Sequence, residues 1–118
     1  MRHQKNTKKF KRTTEERKKL WQDLVSGLIL HGKIITFTTR AKWSARKFER
    51  LVTLCKRAGE NKKLAYTKVR PFLKEPVARK LIEEIVPKLA ARNGGYTQIY
   101  KLHDYFTTHD KSIVMIVS

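Results

Sequence analysis

The side chains able to do chemistry are four histidines, one adjacent pair of glutamates, one cysteine, a scatter of tyrosines and a large excess of cations. His3, His31, His103 and His109 are the imidazoles, and no two stand at the spacing of a zinc site with further ligands nearby. They read as solvent-facing or locally bonded rings. His3, in a basic segment, can hydrogen-bond a phosphate or a base without catalysis. Glu83 and Glu84 are neighbours on a helical pattern, where adjacent side chains diverge by about 100°, so they form no acid–base pair. Cys55 falls on an apolar helical face with no base in evidence, which makes it a small core residue. Glycine loops of the nucleotide-binding kinds are absent. Tyr66, Tyr96, Tyr100 and Tyr105 lie near polar turns or strands. A tyrosine beside an arginine can stack on an unpaired base, although half-buried packing with the hydroxyl in water is the plainer reading.

The cations are the informative set. The 118 residues carry 28 Lys plus Arg against 10 Asp plus Glu, a formal charge of +18. That excess repels itself in the isolated fold, so it makes sense where a partner supplies the counter-charge. Nucleic acid is the first candidate, an anionic membrane surface the second, and a purely solubilising excess the third. The cations occur in four places. Residues 1–12 contain Arg2, Lys5, Lys8, Lys9, Lys11 and Arg12 and no acid. With Phe10 as the only large apolar side chain besides Met1, this segment cannot bury enough hydrocarbon to offset the entropy of ordering it, and it is expected to be a flexible basic arm. Arg17, Lys18, Arg40 and Lys42 lie on the outer faces of the first two helical patterns. Lys62, Lys63, Lys68 and Arg70 share one short segment, and Arg92 precedes Gly94-Gly95-Tyr96. Lysines or arginines placed on phosphates act by one mechanism, the release of condensed counterions. Gly94-Gly95 lets backbone pass close to a sugar-phosphate chain or merely ends a helix.

These residues need elements to hold them. Thr13 with Glu16 has the form of a capping box. Leu20, Leu24 and Leu28, with Trp21, Val25 and Ile29 beside them, make one helical face, and Gly32 is placed for a left-handed stop. The reading is a helix over 14–31. Lys33 to Phe37 is β-branched and short, hence a strand. Thr38 or Thr39 is then expected to cap a second helix, whose apolar face runs through Ala41, Ala45, Phe48, Leu51, Val52 and Cys55 to a close at Gly59. Asn61 caps a short helix from Lys62 to about Val69. Pro76 suits the first turn of another, with the face Val77, Leu81, Ile82, Ile85 and Val86. Pro87 disrupts its continuation, Leu89 and Ala90 extend a last turn, and Asn93-Gly94-Gly95 is the expected stop. Thr97 to Leu102 and Ser112 to Val117 read as strands. The apolar run Ile113 to Val117 suggests that the last strand is central or covered on both faces, and the linker His103 to Lys111 is expected to be an exposed loop. The fold class is α+β in two layers: helix, strand, three helices, two strands, with a small sheet covered by helices on one face. Residues 13–118 are taken as a single globular domain behind the arm at 1–12.

One cysteine excludes an internal disulfide and paired-cysteine zinc modules. No apolar run approaches a membrane span, and the N-terminus lacks the apolar stretch of a secretory signal. The expectation is a soluble, cytoplasmic protein with no membrane partner, no small-molecule substrate and no cofactor.

Met1-Arg2-His3 opening a basic arm resembles the bacterial large-subunit ribosomal protein seventeen family. So do Leu24-Val25-Ser26-Gly27-Leu28-Ile29 with His31 and a short Ile-rich strand, Arg40-Ala41-Lys42, Leu51 to Lys56, the Lys62-to-Arg70 segment and Arg92-Asn93-Gly94-Gly95-Tyr96-Thr97. The ordered set covers nearly the whole chain. The resemblance implies the same order of elements, a ribosome-bound protein that binds large-subunit ribosomal RNA without catalysis, and contacts with neighbouring ribosomal proteins. It also implies RNA contacts in the arm and around the Arg-x-Gly-Gly-Tyr turn, which fall here on Arg2, His3, Lys5, Lys8, Lys9, Lys11, Arg12, Arg92, Gly94, Gly95 and Tyr96. Gln4, Glu16 and Trp43 depart from the family pattern. Two rival readings stand beside this one. A DNA-binding architectural or regulatory module requires a compact helix-turn-helix, and a small nuclease requires His31 or His103 in a supported acid–base pair.

Overall fold

The computed structural model describes residues 13–102 and 110–117. The arm, the three histidines other than His31, Tyr105 and most of the 103–111 linker lie outside those residues.

Helix α1 spans Thr14–His31. Its first turn begins as expected, with the Thr13 hydroxyl accepting from the Glu16 N–H at 3.2 Å. It ends at Gly32, whose φ of 79° is open to glycine at little steric cost. The buried face is Trp21, Val25, Leu28 and Ile29, while Leu20 and Leu24 are only half-buried at its margin.

Strand β1 spans Lys33–Phe37 and leads directly into α2, Thr38–Arg57. A side-chain cap was expected here, but the cap position is Phe37, which makes none. Thr38 is instead buried. Its N–H and its hydroxyl both bond to the Asp110 carbonyl, at 2.9 and 3.2 Å, and its hydroxyl meets that of Ser112 at 2.7 Å. A strand remote in sequence has taken over the satisfaction of the helix start.

Helix α2 buries Ala41, Ala45, Phe48, Leu51, Val52 and Cys55, the face read from the sequence. Burial pushes the Cys55 thiol up to about 11. Helix α3, Lys62–Val69, starts at Asn61, whose side chain accepts from the Leu64 N–H at 3.1 Å.

The last helical stretch is less regular than its apolar face suggested. Helix α4, Glu75–Lys80, carries Pro76 in its first turn. A π-helical segment, Leu81–Ile85, follows, and then the short α5, Val86–Lys88. The Val86 N–H reaches back five residues to the Leu81 carbonyl. Pro87 has no N–H to continue an α-helical ladder, and a wide turn is one way the chain absorbs that loss. Helical geometry therefore ends at Leu89, not at the expected Asn93-Gly94-Gly95 stop. Residues 89–92 continue as a turn closed by the Arg92 N–H on the Leu89 carbonyl at 3.1 Å, and 93–95 are irregular.

Strands β2, Thr97–Leu102, and β3, Lys111–Ile116, complete an antiparallel sheet in the order β1-β3-β2. Strand β3 is central, as its apolar run suggested. It is not covered on both faces: Ser112 and Val114 are buried under the helices, whereas Met115 is 36% exposed. Register places Ile35, Ile113 and Tyr100 in one cross-strand row on the outer face, and Ile35 is 60% exposed. On the inner face, Ile34, Val114 and Ile99 pack toward α1 and α2.

Candidate nucleic-acid interface

Cations on a helix act together only when they share a face. On α2, Lys42, Arg46, Arg50 and Arg57 are all exposed. At about 100° per residue they fall within roughly 80° of one another around the helix axis, so they form a single stripe. Lys47 lies off that stripe: its ammonium sits 5.3 Å from the centre of the Trp21 ring. Burial, reinforced by Arg50, lowers its pKa. Arg40, at the start of the helix, is half-buried with its guanidinium 5.4 Å from the centre of the Phe37 ring. Lys42 and Arg46 line a cleft with Thr38, Thr39, Trp43, Lys101 and Asp110. Trp43 itself is partly buried against the core.

The Arg92–Tyr96 turn is docked beside this stripe by two polar residues of α2. Glu49 and Lys56 are seven residues apart, two helical turns, and so stand one above the other. The Glu49 Oε1 accepts from the Tyr96 N–H at 3.1 Å and from the Thr97 hydroxyl at 3.2 Å. The Lys56 ammonium donates to the Leu89 carbonyl at 3.3 Å, to the Tyr96 hydroxyl at 3.1 Å and to the Arg92 carbonyl. It also lies 5.0 Å from the centre of the Tyr96 ring. The Tyr96 carbonyl accepts from the Val117 N–H at 3.0 Å. Tyr96 is thereby buried, 4% exposed. Its ring has no free face for a base, and its place is that of an internal anchor.

Arg92, Gly94 and Gly95 stay on the surface. Gly95 has a φ of 62°, a conformation that favours glycine. Gly94 is different: its φ is not positive, and a Cβ there would meet nothing within 4 Å. Nothing inside the fold requires glycine at 94.

A second basic group forms where α1 meets the end of α3. The Gln22 side chain donates to the Pro71 carbonyl at 3.5 Å, and the Lys18 ammonium lies 6.0 Å from the centre of the Phe72 ring. Lys18 and Arg70 are exposed near this contact, and Arg17 is half-buried one residue before Lys18. Lys62, Lys63 and Lys68 are exposed on α3. Thr13, at the start of α1, is the first described residue at this end.

Two ion pairs form among the described residues, Arg79 with Glu75 at 3.1 Å and Lys101 with Asp110 at 4.0 Å, and both are exposed. Exposed pairs of this kind contribute about 0–1 kcal/mol. Groups of three or more potential metal ligands do not occur among the described residues, and no helix there is long and apolar enough to cross a membrane.

Sequence reasoning did not single out Arg46, Arg50 and Arg57 of the stripe, Lys101, which joins the α2 cleft from the sheet, or the Glu49–Lys56 pair that holds the turn. A spacing of seven between opposite charges was the available signal, but nothing in the sequence said what lay above it.

The family model of ribosomal protein L17 matches residues 20–117. The large ribosomal subunit protein bL17 of Clostridium botulinum is 44% identical over 96 residues, covering 80% of this chain and 82% of that protein. Its counterpart from Clostridium acetobutylicum is 41% identical over the same length. That of Sulfurihydrogenibium is 42% identical over 105 residues, covering 88% of this chain and 84% of its own. A fold in the order the family resemblance implied, a cationic stripe with the Arg-x-Gly-Gly-Tyr turn seated beside it, and matches of this extent lead to one assignment: the chain belongs to the ribosomal protein L17 family, and it is a non-enzymatic, structural component of the large ribosomal subunit.

Proposed function

We propose that this chain binds and stabilises folded large-subunit ribosomal RNA through phosphate neutralisation and shape fit. The observation that carries the reading is the α2 stripe of Lys42, Arg46, Arg50 and Arg57 flanked by the exposed Arg92-Gly94-Gly95 turn. An isolated protein gains nothing by lining up four like charges. A phosphate backbone gives them partners. A-form RNA presents regular rows of phosphates and a deep, narrow major groove, which favours recognition of backbone and shape over base edges.

The remaining cations extend the same surface. Arg17, Lys18, Lys62, Lys63, Lys68 and Arg70 are assigned to a second contact around the α1–α3 junction. Arg2, His3, Lys5, Lys8, Lys9, Lys11 and Arg12 are assigned to an arm that threads between RNA helices from that end. Arg40 and Lys42 begin the α2 contact. Tyr96 is assigned to the interior, holding the turn. Neighbouring large-subunit proteins are assigned to the outer sheet face, where the row Ile35, Ile113 and Tyr100 offers apolar surface with little hydrogen-bonding capacity for RNA.

The DNA-binding alternative finds no support in the fold. Helices α1 and α2 are separated by strand β1, so they do not form a compact helix-turn-helix.

Salt dependence of binding to in vitro-transcribed large-subunit ribosomal RNA tests the reading. If about eight phosphates are contacted, the slope of log affinity against log salt is about −6 on the single-strand coefficient. Deleting residues 1–12 removes six cations and flattens the slope by up to about 4. An unchanged slope after the deletion means the arm is not an anchor. Equal affinity for duplex DNA means the surface does not distinguish A-form RNA.

A further inference from the structure

An RNA contact made by a turn is only as good as the turn's rigidity, because every loop residue that must be ordered on binding subtracts from affinity. Residues 89–96 have no helical or strand ladder of their own. Local turns and strand β3 satisfy some of their polar groups, with the Arg92 N–H on the Leu89 carbonyl at 3.1 Å and the Tyr96 carbonyl on the Val117 N–H at 3.0 Å, and α2 holds others. Within this stretch the Lys56 ammonium bridges the carbonyls of Leu89 and Arg92 and the hydroxyl of Tyr96, while Glu49 holds the Tyr96 N–H and the Thr97 hydroxyl. The Tyr96 hydroxyl completes the ring by donating to the Arg92 carbonyl at 3.4 Å. Arg92 is thus gripped by its backbone from two sides while its side chain stays exposed.

We infer that Glu49 and Lys56 are positioning residues for RNA binding: they lock the Arg92–Tyr96 turn so that Arg92 and the open edge of Gly94 meet RNA already in place. Lys56 is therefore a cation whose value to binding does not come from phosphate contact, since its three hydrogen-bonding directions are spent inside the protein. Glu49, an acid on the margin of the cationic stripe, aids binding by the same route. A carboxylate beside a phosphate-binding surface would otherwise weaken it. The inference rests on the proposal that the turn touches RNA.

The test uses the full chain with Glu49→Ala, Glu49→Gln, Lys56→Met and Arg92→Ala. Amide hydrogen exchange of residues 93–97 is measured in the free protein, and affinity for in vitro-transcribed large-subunit ribosomal RNA is measured at one fixed salt concentration. Glu49→Ala and Lys56→Met are each expected to accelerate exchange at the Tyr96 amide and to weaken binding roughly tenfold, the size of one charge-assisted hydrogen bond. Glu49→Gln, whose amide oxygen still accepts, is expected to restore most of the affinity. In the Arg92→Ala background the two losses are expected to shrink toward nothing, because the contact they position has gone. Should Lys56→Met fail to fold, the Glu49 pair of variants carries the same comparison.

Three results overturn the inference. Binding unchanged while exchange accelerates shows that the turn needs no fixing. Losses that multiply fully with Arg92→Ala show that Lys56 or Glu49 acts elsewhere. A normal affinity for Arg92→Ala alone removes the RNA contact itself, and so marks the failure of the underlying reading separately.

Discussion

Replacing Gly94 by alanine pulls stability and binding in opposite directions. The backbone at 94 is not left-handed, and an added Cβ meets no atom within 4 Å. Alanine therefore fits the folded chain, and by restricting the unfolded one it is expected to stabilise the protein by about 0.4–1 kcal/mol. Gly95 is the internal control. Its φ of 62° costs an L-residue about 1–2 kcal/mol, partly offset by the same entropic gain, so Gly95→Ala is expected to destabilise by about 1 kcal/mol. Binding responds to a different quantity. If RNA backbone approaches the open edge at 94, the methyl forces it away by about 1.5 Å, the length of a carbon–carbon bond. Moving a phosphate from about 3.0 to about 4.5 Å from the Arg92 cation, at an effective dielectric constant of about 20, costs about 1.8 kcal/mol, or roughly twentyfold in affinity. Urea unfolding gives the stability of both variants, and filter binding to large-subunit ribosomal RNA at one salt concentration gives the affinity. A Gly94→Ala protein that is stabilised yet binds like the parent refutes close approach at this turn. One that is destabilised refutes the reading of its backbone.

Two further perturbations probe the parts that hold the interface. Ser112→Ala removes one of the two partners of the buried Thr38 hydroxyl, 2.7 Å away, and leaves it the Asp110 carbonyl at 3.2 Å, so it is expected to cost about 0.5–1.5 kcal/mol in urea unfolding, and Thr38→Val added to it is expected to cost less than it does in the parent. Fully additive losses would deny the coupling. Cys55, raised to about 11 by burial from an ordinary 9.0, is expected to resist alkylation at pH 8 until the chain is denatured. Because the folded state holds the thiol proton more tightly, this group's contribution to stability is intact below about pH 9 and is lost as pH rises toward about 11. The difference in unfolding free energy between parent and Cys55→Ala should shrink across that window, and a constant difference would contradict the burial.

The sequence by itself determined what depends on neighbours within a few residues. The four- and three-residue steps of Ala41, Ala45, Phe48, Val52 and Cys55 specify which side of α2 is buried, whatever it packs against. Thr13 and Asn61 cap because their oxygens reach amides three residues on, and Gly32 and Gly59 stop helices because they alone tolerate the left-handed turn. The surplus of cations, legible from counting, pointed to a polyanionic partner. Tertiary structure alone decided the rest. Thr38 satisfies its amide with Asp110, 72 residues away. Strand β3 is central yet open on one side, because helices cover only one layer of a three-stranded sheet. Tyr96 lies inside and Arg92 outside because Lys56 and Glu49 reach across 36 to 47 residues to bind that turn. Periodicity and capping are short-range properties of one element. Which buried donor meets which acceptor depends on how distant elements dock, and no spacing within a single element encodes it.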